Sequence, residues 1–320
     1  MERSFRNNGG SLVVHDRGAC VTSWVPAATG EAPVNDVLFT SRSFAVDRRP
    51  AGESPNKETY SGEAHAGIPI CAPWFSGGRA GVDVPRKHGL VRWVDWHFDG
   101  AAQEPGASDV SHAGNPSADG GSEDSSEWTR LSWHIAGAEL ESMPGSESYP
   151  TDMEYRYDVG FGLRSGVPRV DVMLTISSPT QDVIVDAALH TYYRVQDAQT
   201  VRLSGLEGCT IDDLLAGKKY TITSDLDYSS RDAVIYSGAA SAPHMVFDRG
   251  WDRLRITPIN GSNIVLWNPG EANTAKIETL ARDEWKDFFC VEVGNVLDDA
   301  RTISAGTSLS FGFSVEHLGE

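Results

Sequence analysis

Short runs of β-branched and aromatic residues recur along the whole of this chain, bounded by Gly, Pro, Asn, Asp or Ser. The clearest are SLVVH, DVLFT, LVRWVDWHF, RLSWHIAG, RVDVMLTIS, DVIVDAALHTYYRV, TVRLSGL, NIVLWNP and DFFCVEVGNV. No long window carries the apolar stripe of an amphipathic helix, and the lack of alternating helices disfavours a parallel α/β fold. The pattern predicts an all-β protein, a large antiparallel β-sandwich, with one short helix of a turn or two within residues 274–288.

The chain has 320 residues, a length that β-sandwiches often reach as single units, so we expect one domain over residues 1–320. Residues 101–127 (AAQEPGASDVSHAGNPSADGGSEDSSE) are rich in Gly, Ser, Ala and acids. Such a segment cannot bury enough apolar surface to offset the entropy lost on ordering. Because strand-like runs with Trp flank it, it is predicted to be a surface insert between two strands; an interdomain linker is the alternative.

The charge of the chain excludes one class of partner. Acidic residues outnumber basic ones 45 to 27, for a net charge of −18, whereas nucleic acids are bound by clustered Lys and Arg.

The four cysteines lie far apart without a CxxC, which fits neither a zinc site nor a disulfide framework. The N-terminus has no apolar signal region, and no apolar run is long enough to span a membrane. We expect a monomeric cytoplasmic protein with a small-molecule partner.

One candidate catalytic residue is a histidine within residues 183–195, VIVDAALHTYYRV. If this run is a strand, its side chains alternate between the two faces of a sheet. One face is then apolar, while His190 lies on the other face beside Tyr192 and Arg194. That face is typical of a polar cleft floor. The alternative interpretation is that His190 is an exposed strand histidine with no catalytic or binding role.

A second candidate is the carboxylate within FFCVEVGNV. Glu292 shares a strand face with Phe288 and Cys290. An ionised carboxylate is costly to bury unless it is paired, and burial raises its pKa towards the value that a base near neutral pH requires. The sequence therefore favours a general base over a structural Glu bonded to backbone amides.

Two further segments carry weaker signals. In PRKHGLVRWVDW, His88 and Arg92 are four residues apart, so an extended chain would direct both to one face. HAGIPICAPWF, just upstream, has the Gly and Pro content of a turn-rich passage beside a groove. Either segment alone fits a groove rim or a core edge equally well.

Taken together, these stretches resemble the aldose 1-epimerase superfamily, and most closely its hexose-6-phosphate mutarotases (glucose-6-phosphate 1-epimerases). The similar stretches are GIPICAPWF, KHGLVR, ALHTYYRV, LSGLEGCTIDD, VLWNPG and FFCVEVGNV, in the order of that family. The resemblance runs from about residue 10 to residue 317, without the insert. It implies a galactose-mutarotase-like β-sandwich that interconverts sugar anomers without a metal or other cofactor.

The resemblance also implies roles for individual residues. His190 would be the general acid and Glu292 the general base, with His88 as a second histidine near the ring oxygen. Asp212, in GCTIDD, would bind sugar hydroxyls, and Arg92 would help to hold a phosphate.

Two departures from the family pattern concern the phosphate. His65 stands where the phosphate-specific members have Arg, and Lys87 stands where they commonly have Gln. Lys87 could supply a cation in place of the missing Arg, although as a point charge and not as a bidentate fork. The substrate is therefore expected to be a hexose 6-phosphate, with a free hexose as the alternative.

Two functions of other classes remain open. A carbohydrate-binding β-sandwich without catalysis would bind sugar but would not need a proton-transfer pair. A metal-dependent β-barrel enzyme would use His88, His190 and Glu292 as ligands. Metal analysis and an anomer-exchange assay distinguish them.

Overall fold

A computed structural model of the protein describes residues 1–28, 34–44, 65–78, 86–105, 127–214, 216–227, 234–239 and 244–319. Strands dominate these ranges. They are β1 Glu2–Asn7, β2 Gly10–His15, β3 Cys20–Pro26, β4 Ile70–Cys71, β5 His97–Pro105, β6 Glu127–Ala136, β7 Glu154–Arg164, β8 Val167–Ser178, β9 Val183–Val185, β10 Ala187–Leu189, β11 Tyr192–Arg194, β12 Arg202–Ser204, β13 Thr210–Asp213, β14 Lys218–Thr221, β15 Leu226–Asp227, β16 Val234–Ala239, β17 Met245–Asp248, β18 Arg253–Ile259, β19 Asn263–Asn268, β20 Phe288–Asn295, β21 Arg301–Ile303 and β22 Thr307–Gly319.

Helical structure in the described ranges is short. The single α-helix is α1, Gly270–Thr274, and the 3₁₀ turns are Val91–Trp93, Gly137–Leu140, Ser146–Ser148, Ala198–Thr200, Glu284–Lys286 and Leu297–Asp299. Every helix within the described residues is too short or too polar to cross a membrane. The helix expected around residues 274–288 thus ends at Thr274, and the 3₁₀ turn Glu284–Lys286 lies inside that range.

Two large sheets form the body of the molecule. One has the strand order β14-β13-β16-β19-β20-β10-β4, with β11 also paired to β20, and the other has the order β15-β12-β17-β18-β22-β8-β7-β6-β5. Side chains from both sheets, such as Val291 of β20 and Trp133 of β6, belong to one buried apolar cluster. The pairing of their strands is antiparallel, so the predicted antiparallel β-sandwich is confirmed.

Strand β20 shows how the first sheet separates core from site. All of its residues are buried, and they divide by parity because strand side chains alternate between faces. Phe289, Val291 and Val293 enter the core between the sheets. Phe288 and Cys290 pack in a second cluster on the opposite face, which is the face that also carries Glu292.

The predicted insert is shorter than expected at its first end. Residues 101–105 belong to β5, which pairs with β6 until Pro105 faces Glu127. They carry no large apolar side chain, but strand pairing uses backbone groups, which every residue except proline carries in full. Residues 106–126 lie outside the described residues, so only the flanking hairpin of the prediction is confirmed.

Two predicted strands are broken. DVLFT makes isolated bridges, Leu38 to Tyr193 and Thr40 to Ala66. The run at residues 183–195 is divided into three strands. Strand β9 pairs with β21, β10 pairs with β20 and β4, and β11 pairs with β20. A chain that changes partners along its length cannot remain one regular strand, yet the predicted alternation of faces is kept.

Candidate active site

A cleft of about 270 Å³ opens on the outer face of the first large sheet. Apolar and aromatic side chains make up most of its wall, with a few polar groups between them. The described residues that line it are His65, Phe75, Ser76, Lys87, His88, His190, Tyr192, Leu214, Val265, Trp267, Ile277, Glu292 and Leu297. Such a cleft, apolar with a few convergent polar groups, is typical of a small-molecule site.

His190 and Glu292 meet on the floor of this cleft. Glu292 lies in the middle of β20, opposite Val265 of β19. His190 lies between β10 and β11, where its backbone N–H donates to the carbonyl of Pro69 at 2.9 Å. Its Nε2 is 3.4 Å from Glu292 Oε1, and the two side chains are only 7% and 1% exposed. The sheet therefore places an imidazole and a carboxylate in direct contact, away from bulk water.

Aromatic rings fix the orientation of the His190 imidazole. It stacks on Tyr192 with the ring centroids 4.8 Å apart and an interplanar angle of 11°. Trp267 and His88 meet it edge to face, at 5.7 and 5.2 Å. A ring held on three sides loses little further freedom when a substrate binds, which is the preorganisation that proton transfer requires.

Polar atoms of the pair are left for a ligand. Among the described residues, His190 Nδ1 and Glu292 Oε2 have no hydrogen-bond partner although both are buried. Buried polar atoms are normally paired, and a catalytic role is one explanation for an unpaired one. Glu292 Oε2 can thus accept a hydrogen bond from a hydroxyl group in the cleft.

His88 reaches the cleft from a tight turn. Its backbone φ is +64°, and that of the following Gly89 is +76°. A Cβ on Gly89 would lie 2.0 Å from the carbonyl oxygen of Ala72, so only glycine allows this approach. His88 Nδ1 accepts a hydrogen bond from the Ser76 N–H at 3.2 Å. In the neutral ring the proton is therefore on Nε2, and His88 can donate a hydrogen bond.

His65 and Lys87 also line the cleft, but in different environments. His65 is 2% exposed, and its ring meets the Tyr192 ring edge to face. Its Nδ1 is hydrogen-bonded to Thr279 Oγ1 at 3.1 Å. Lys87 is exposed, beside His88. The buried His65 contributes a ring to the wall, whereas Lys87 contributes a cation on an exposed side chain.

The model of the aldose 1-epimerase family matches residues 115–316, which is more than half of the chain. The chain belongs to the aldose 1-epimerase family. It is thus an isomerase of the mutarotase type, as its motifs predict.

Individual relatives agree with this assignment. A Salmonella typhimurium protein provisionally named glucose-6-phosphate 1-epimerase is 26% identical over 280 residues, which are 86% of this chain and 76% of that protein. A Cenchrus ciliaris protein with the same provisional name is 25% identical over 280 residues, 86% of this chain and 72% of that protein. The crystal structure of a provisionally assigned mutarotase from Salmonella typhimurium superposes with a TM-score of 0.69 at 18% identity, covering 100% of this chain and 94% of that one. The last likeness confirms a mutarotase-like fold.

The electrostatics of the epimerase site follow from burial. Burial raises the pKa of the Glu292 carboxyl well above its usual value, and nearby Arg92 opposes the shift. Burial lowers the pKa of His190 well below the ordinary histidine value, and the positive potentials of His88, Arg92 and His65 add to this. Desolvation disfavours the charged form of both groups, so burial favours the form with one shared proton, a protonated Glu292 beside a neutral His190.

This proton count predicts the pH dependence of anomer exchange. On the acid side a second proton arrives when His190 becomes charged, and on the alkaline side the last proton leaves when Glu292 ionises. Because exchange needs one acid and one base, kcat/KM should be bell-shaped with a broad plateau. The acid limb should lie below the ordinary histidine pKa and the alkaline limb well above that of a free Glu. Polarimetry across pH measures it, and a profile with a single limb would contradict this pair.

Arg92 is not where an extended segment would place it. Residues Val91–Trp93 form a 3₁₀ turn after the positive φ of His88 and Gly89, so the chain here is not extended. Arg92 is 6% exposed and is absent from the residues that line the cleft. Its charge acts on both Glu292 and His190, so it lies near this pair, and its part in holding a phosphate stays a prediction.

Asp212 lies on the cleft face of the sheet but at a distance from the pair. Across the neighbouring strands of the sheet, Asp212 pairs with Ser237, Ser237 pairs with Val265, and Val265 pairs with Glu292. Three steps of about 4.8 Å separate the Cα atoms of Asp212 and Glu292 by roughly 14 Å. Asp212 does not line the cleft, and Lys219 Nζ is 3.5 Å from its Oδ2. Its contact with sugar hydroxyls stays a prediction.

Of the three aromatic residues expected to pack on a sugar, two line the cleft and one does not. Tyr192 and Trp267 line the cleft. Trp74 is fully buried, stacks on Tyr149 and donates its indole N–H to the Arg86 carbonyl, so it belongs to the core. Sequence patterns did not single out five lining residues: Ser76, Leu214, Val265, Ile277 and Leu297. The alternation along NIVLWNP, which places Val265 and Trp267 on one face, could have found one of them.

Proposed function

We propose that the protein interconverts the α and β anomers of a hexose 6-phosphate by acid/base ring opening, with Glu292 as base and His190 as acid. The observation that carries the proposal is the buried contact of 3.4 Å between these two side chains on the floor of the cleft. The substrate class is supported by the provisional names of the relatives, which are glucose-6-phosphate 1-epimerases.

The reaction needs two proton transfers and no other chemistry. Glu292 removes the proton of the C1 hydroxyl, the C1–O5 bond breaks, and His190 gives a proton to O5. The aldehyde turns about the C1–C2 bond, and reclosure returns both protons in reverse. The competent form, carboxylate and imidazolium, carries the same single proton as the neutral resting pair. Hydrogen bonds from the substrate hydroxyls to Glu292 would stabilise that charged form in the cleft.

The walls of the cleft suit one sugar ring. Trp267 and Tyr192 offer flat apolar surfaces, and His88 can donate a hydrogen bond close to the ring oxygen that His190 protonates. We propose that the enzyme acts as a monomer. A cytoplasmic location, where sugar phosphates are made and used, completes the proposal.

The phosphate would be held by Lys87. Of the described residues that line the cleft, Lys87 alone is a Lys or an Arg, and its side chain is exposed. The net charge of −18 repels a dianionic sugar at long range. Salt screens that repulsion beyond roughly 8–10 Å, so a single local cation can decide the preference. Arg92 is 6% exposed and does not line the cleft, so we assign the contact to Lys87 first.

Lys87→Ala should therefore raise the KM for glucose 6-phosphate about 5-fold, since an exposed charge contact contributes about 1 kcal/mol. The KM for free glucose and both kcat values should change little, because the lost contact is remote from the reacting bond. Lys87→Arg should retain most of the preference. Lys219→Ala, which removes an exposed Lys beside Asp212, is the matched control. Equal changes for both sugars would contradict a phosphate role for Lys87.

Comparison of the wild-type rates on the two sugars separates the alternatives. A faster reaction with glucose 6-phosphate supports the proposal, and a preference for glucose indicates an enzyme for free sugars. Binding of sugar without any exchange would indicate a non-catalytic carbohydrate-binding protein.

A further inference from the structure

We propose that the catalytic pair and Cys290 form a three-ligand site for a thiophilic divalent cation such as Zn²⁺, and that occupation of this site inhibits the enzyme. The ligand atoms of His190, Cys290 and Glu292 all lie within 4.8 Å of one another, and the three side chains are buried. The inhibitory effect rests on the proposed function, because the same two groups would carry the proton transfers.

The spacing of the three ligands fits tetrahedral zinc. With Zn–N and Zn–O bonds of about 2.0–2.2 Å, two ligand atoms of a tetrahedron are roughly 3.3–3.5 Å apart. His190 Nε2 and Glu292 Oε1 are 3.4 Å apart, so their separation already matches that of two ligands on one ion. A Zn–S bond of about 2.3 Å places sulfur roughly 3.6 Å from the other ligands. The Cys290 Sγ lies within 4.8 Å of both, so zinc binding requires it to move closer to them.

Strand geometry accounts for the position of the thiol. Cys290 and Glu292 are two residues apart in β20 and share its outer face. Tyr192 of β11 pairs with Cys290, which brings His190 to the position opposite Glu292. Cys290 packs among apolar residues that include Phe39 and Phe288, and it does not line the cleft. It therefore has no place in the proton transfers.

The charges and open positions also fit a divalent ion. A thiolate and a carboxylate together balance the charge of Zn²⁺, which allows a neutral complex in a buried place. Three protein ligands leave the fourth position to water or to a hydroxyl group from the cleft. Glu292 Oε2 has no hydrogen-bond partner among the described residues, so no existing contact with that atom has to be broken. Zinc bound here would occupy both the base and the acid.

The experiment uses Zn²⁺ as inhibitor and Co²⁺ as spectroscopic probe on the full chain. Anomer exchange is first measured in metal-free protein with chelator, and Zn²⁺ is then titrated in. We expect full inhibition at one equivalent of tightly bound Zn²⁺. Co²⁺ should give the visible bands of a tetrahedral site and a thiolate charge-transfer band. Cys290→Ala should keep its metal-free rate, weaken inhibition at least ~10-fold and abolish the charge-transfer band. Cys290→Ser serves if the Ala variant is unstable.

Cys209→Ala is the matched control, because Cys209 is also a buried cysteine outside any disulfide but lies next to β13. It should be inhibited like the wild type. Equal inhibition of the Cys290 and Cys209 variants, or a Co²⁺ complex without a thiolate band, would overturn the proposed site. An increase in rate with Zn²⁺ would overturn the inhibitory role. Failure of the metal-free protein to exchange anomers would instead count against the proposed function, so the two failures are distinguishable.

Discussion

Replacing Glu292 by Gln is expected to lower kcat for anomer exchange by about 10²–10⁴-fold, the range typical of a lost general base. The amide keeps the size and shape of the carboxyl group but cannot accept the proton of the C1 hydroxyl. Glu292 is 1% exposed in the middle of β20, so an isosteric change is the one that least disturbs the sheet. Progress from pure α-anomer, followed by polarimetry, gives the rate.

The stability of this variant provides its control. Burial raises the pKa of Glu292 in the folded protein, so the folded state loses stability as the pH rises from the usual Glu value through the raised one. Gln does not ionise, and the melting temperature of the variant should therefore equal or exceed that of the wild type, by more at higher pH. Glu316→Gln, in β22 of the other large sheet, should retain the wild-type rate. A Glu292→Gln protein that keeps most of its activity would show that the base is another group.

Replacing His190 by Asn should lower kcat by a similar factor, because O5 then leaves as an unprotonated alkoxide. Asn preserves a polar side chain but not the ring that stacks on Tyr192, so some loss of stability will accompany the loss of rate. The two effects are separable by measuring kcat and thermal unfolding on the same sample.

The exposed His134, paired with Asp99 on the other sheet, supplies the matched histidine control, and His134→Asn should be fully active. Because His190 and Glu292 act as a unit, the double variant should be scarcely slower than either single one. Multiplicative losses in the double variant would indicate that the two groups serve separate steps.

The meeting of His190 and Glu292, the proposed catalytic pair, could be anticipated from the sequence because both residues interrupt an apolar strand pattern. Alternation alone places His190 away from the core in VIVDAALHTYYRV, and it does the same for Glu292 in FFCVEVGNV. Although the first run is divided among three sheet partners, its parity is unchanged, since strands β10 and β11 pair with the same β20. A two-residue period survives such a break as long as no residue is inserted.

Other parts of the site depend on contacts that no local pattern contains. His88 and Arg92 would share a face in an extended chain, but the positive φ values of His88 and Gly89 and the turn at Val91–Trp93 separate them. Leu214 and Leu297 reach the cleft through pairing of distant strands. Leu297 also has a φ of +57°, which its sequence does not announce. Register between strands far apart in sequence is a tertiary property, and local composition does not encode it.

The central claim is that this cleft exchanges sugar anomers through His190 and Glu292, and magnetisation transfer between the α and β C1 protons tests it most directly. The measurement compares glucose 6-phosphate with free glucose at equilibrium, in metal-free wild-type protein and in Glu292→Gln. We predict rapid exchange of glucose 6-phosphate, slower exchange of glucose, and the uncatalysed rate for both sugars with the variant. Exchange by the wild type no faster than in buffer, or exchange that is equally fast in the variant, would contradict the account.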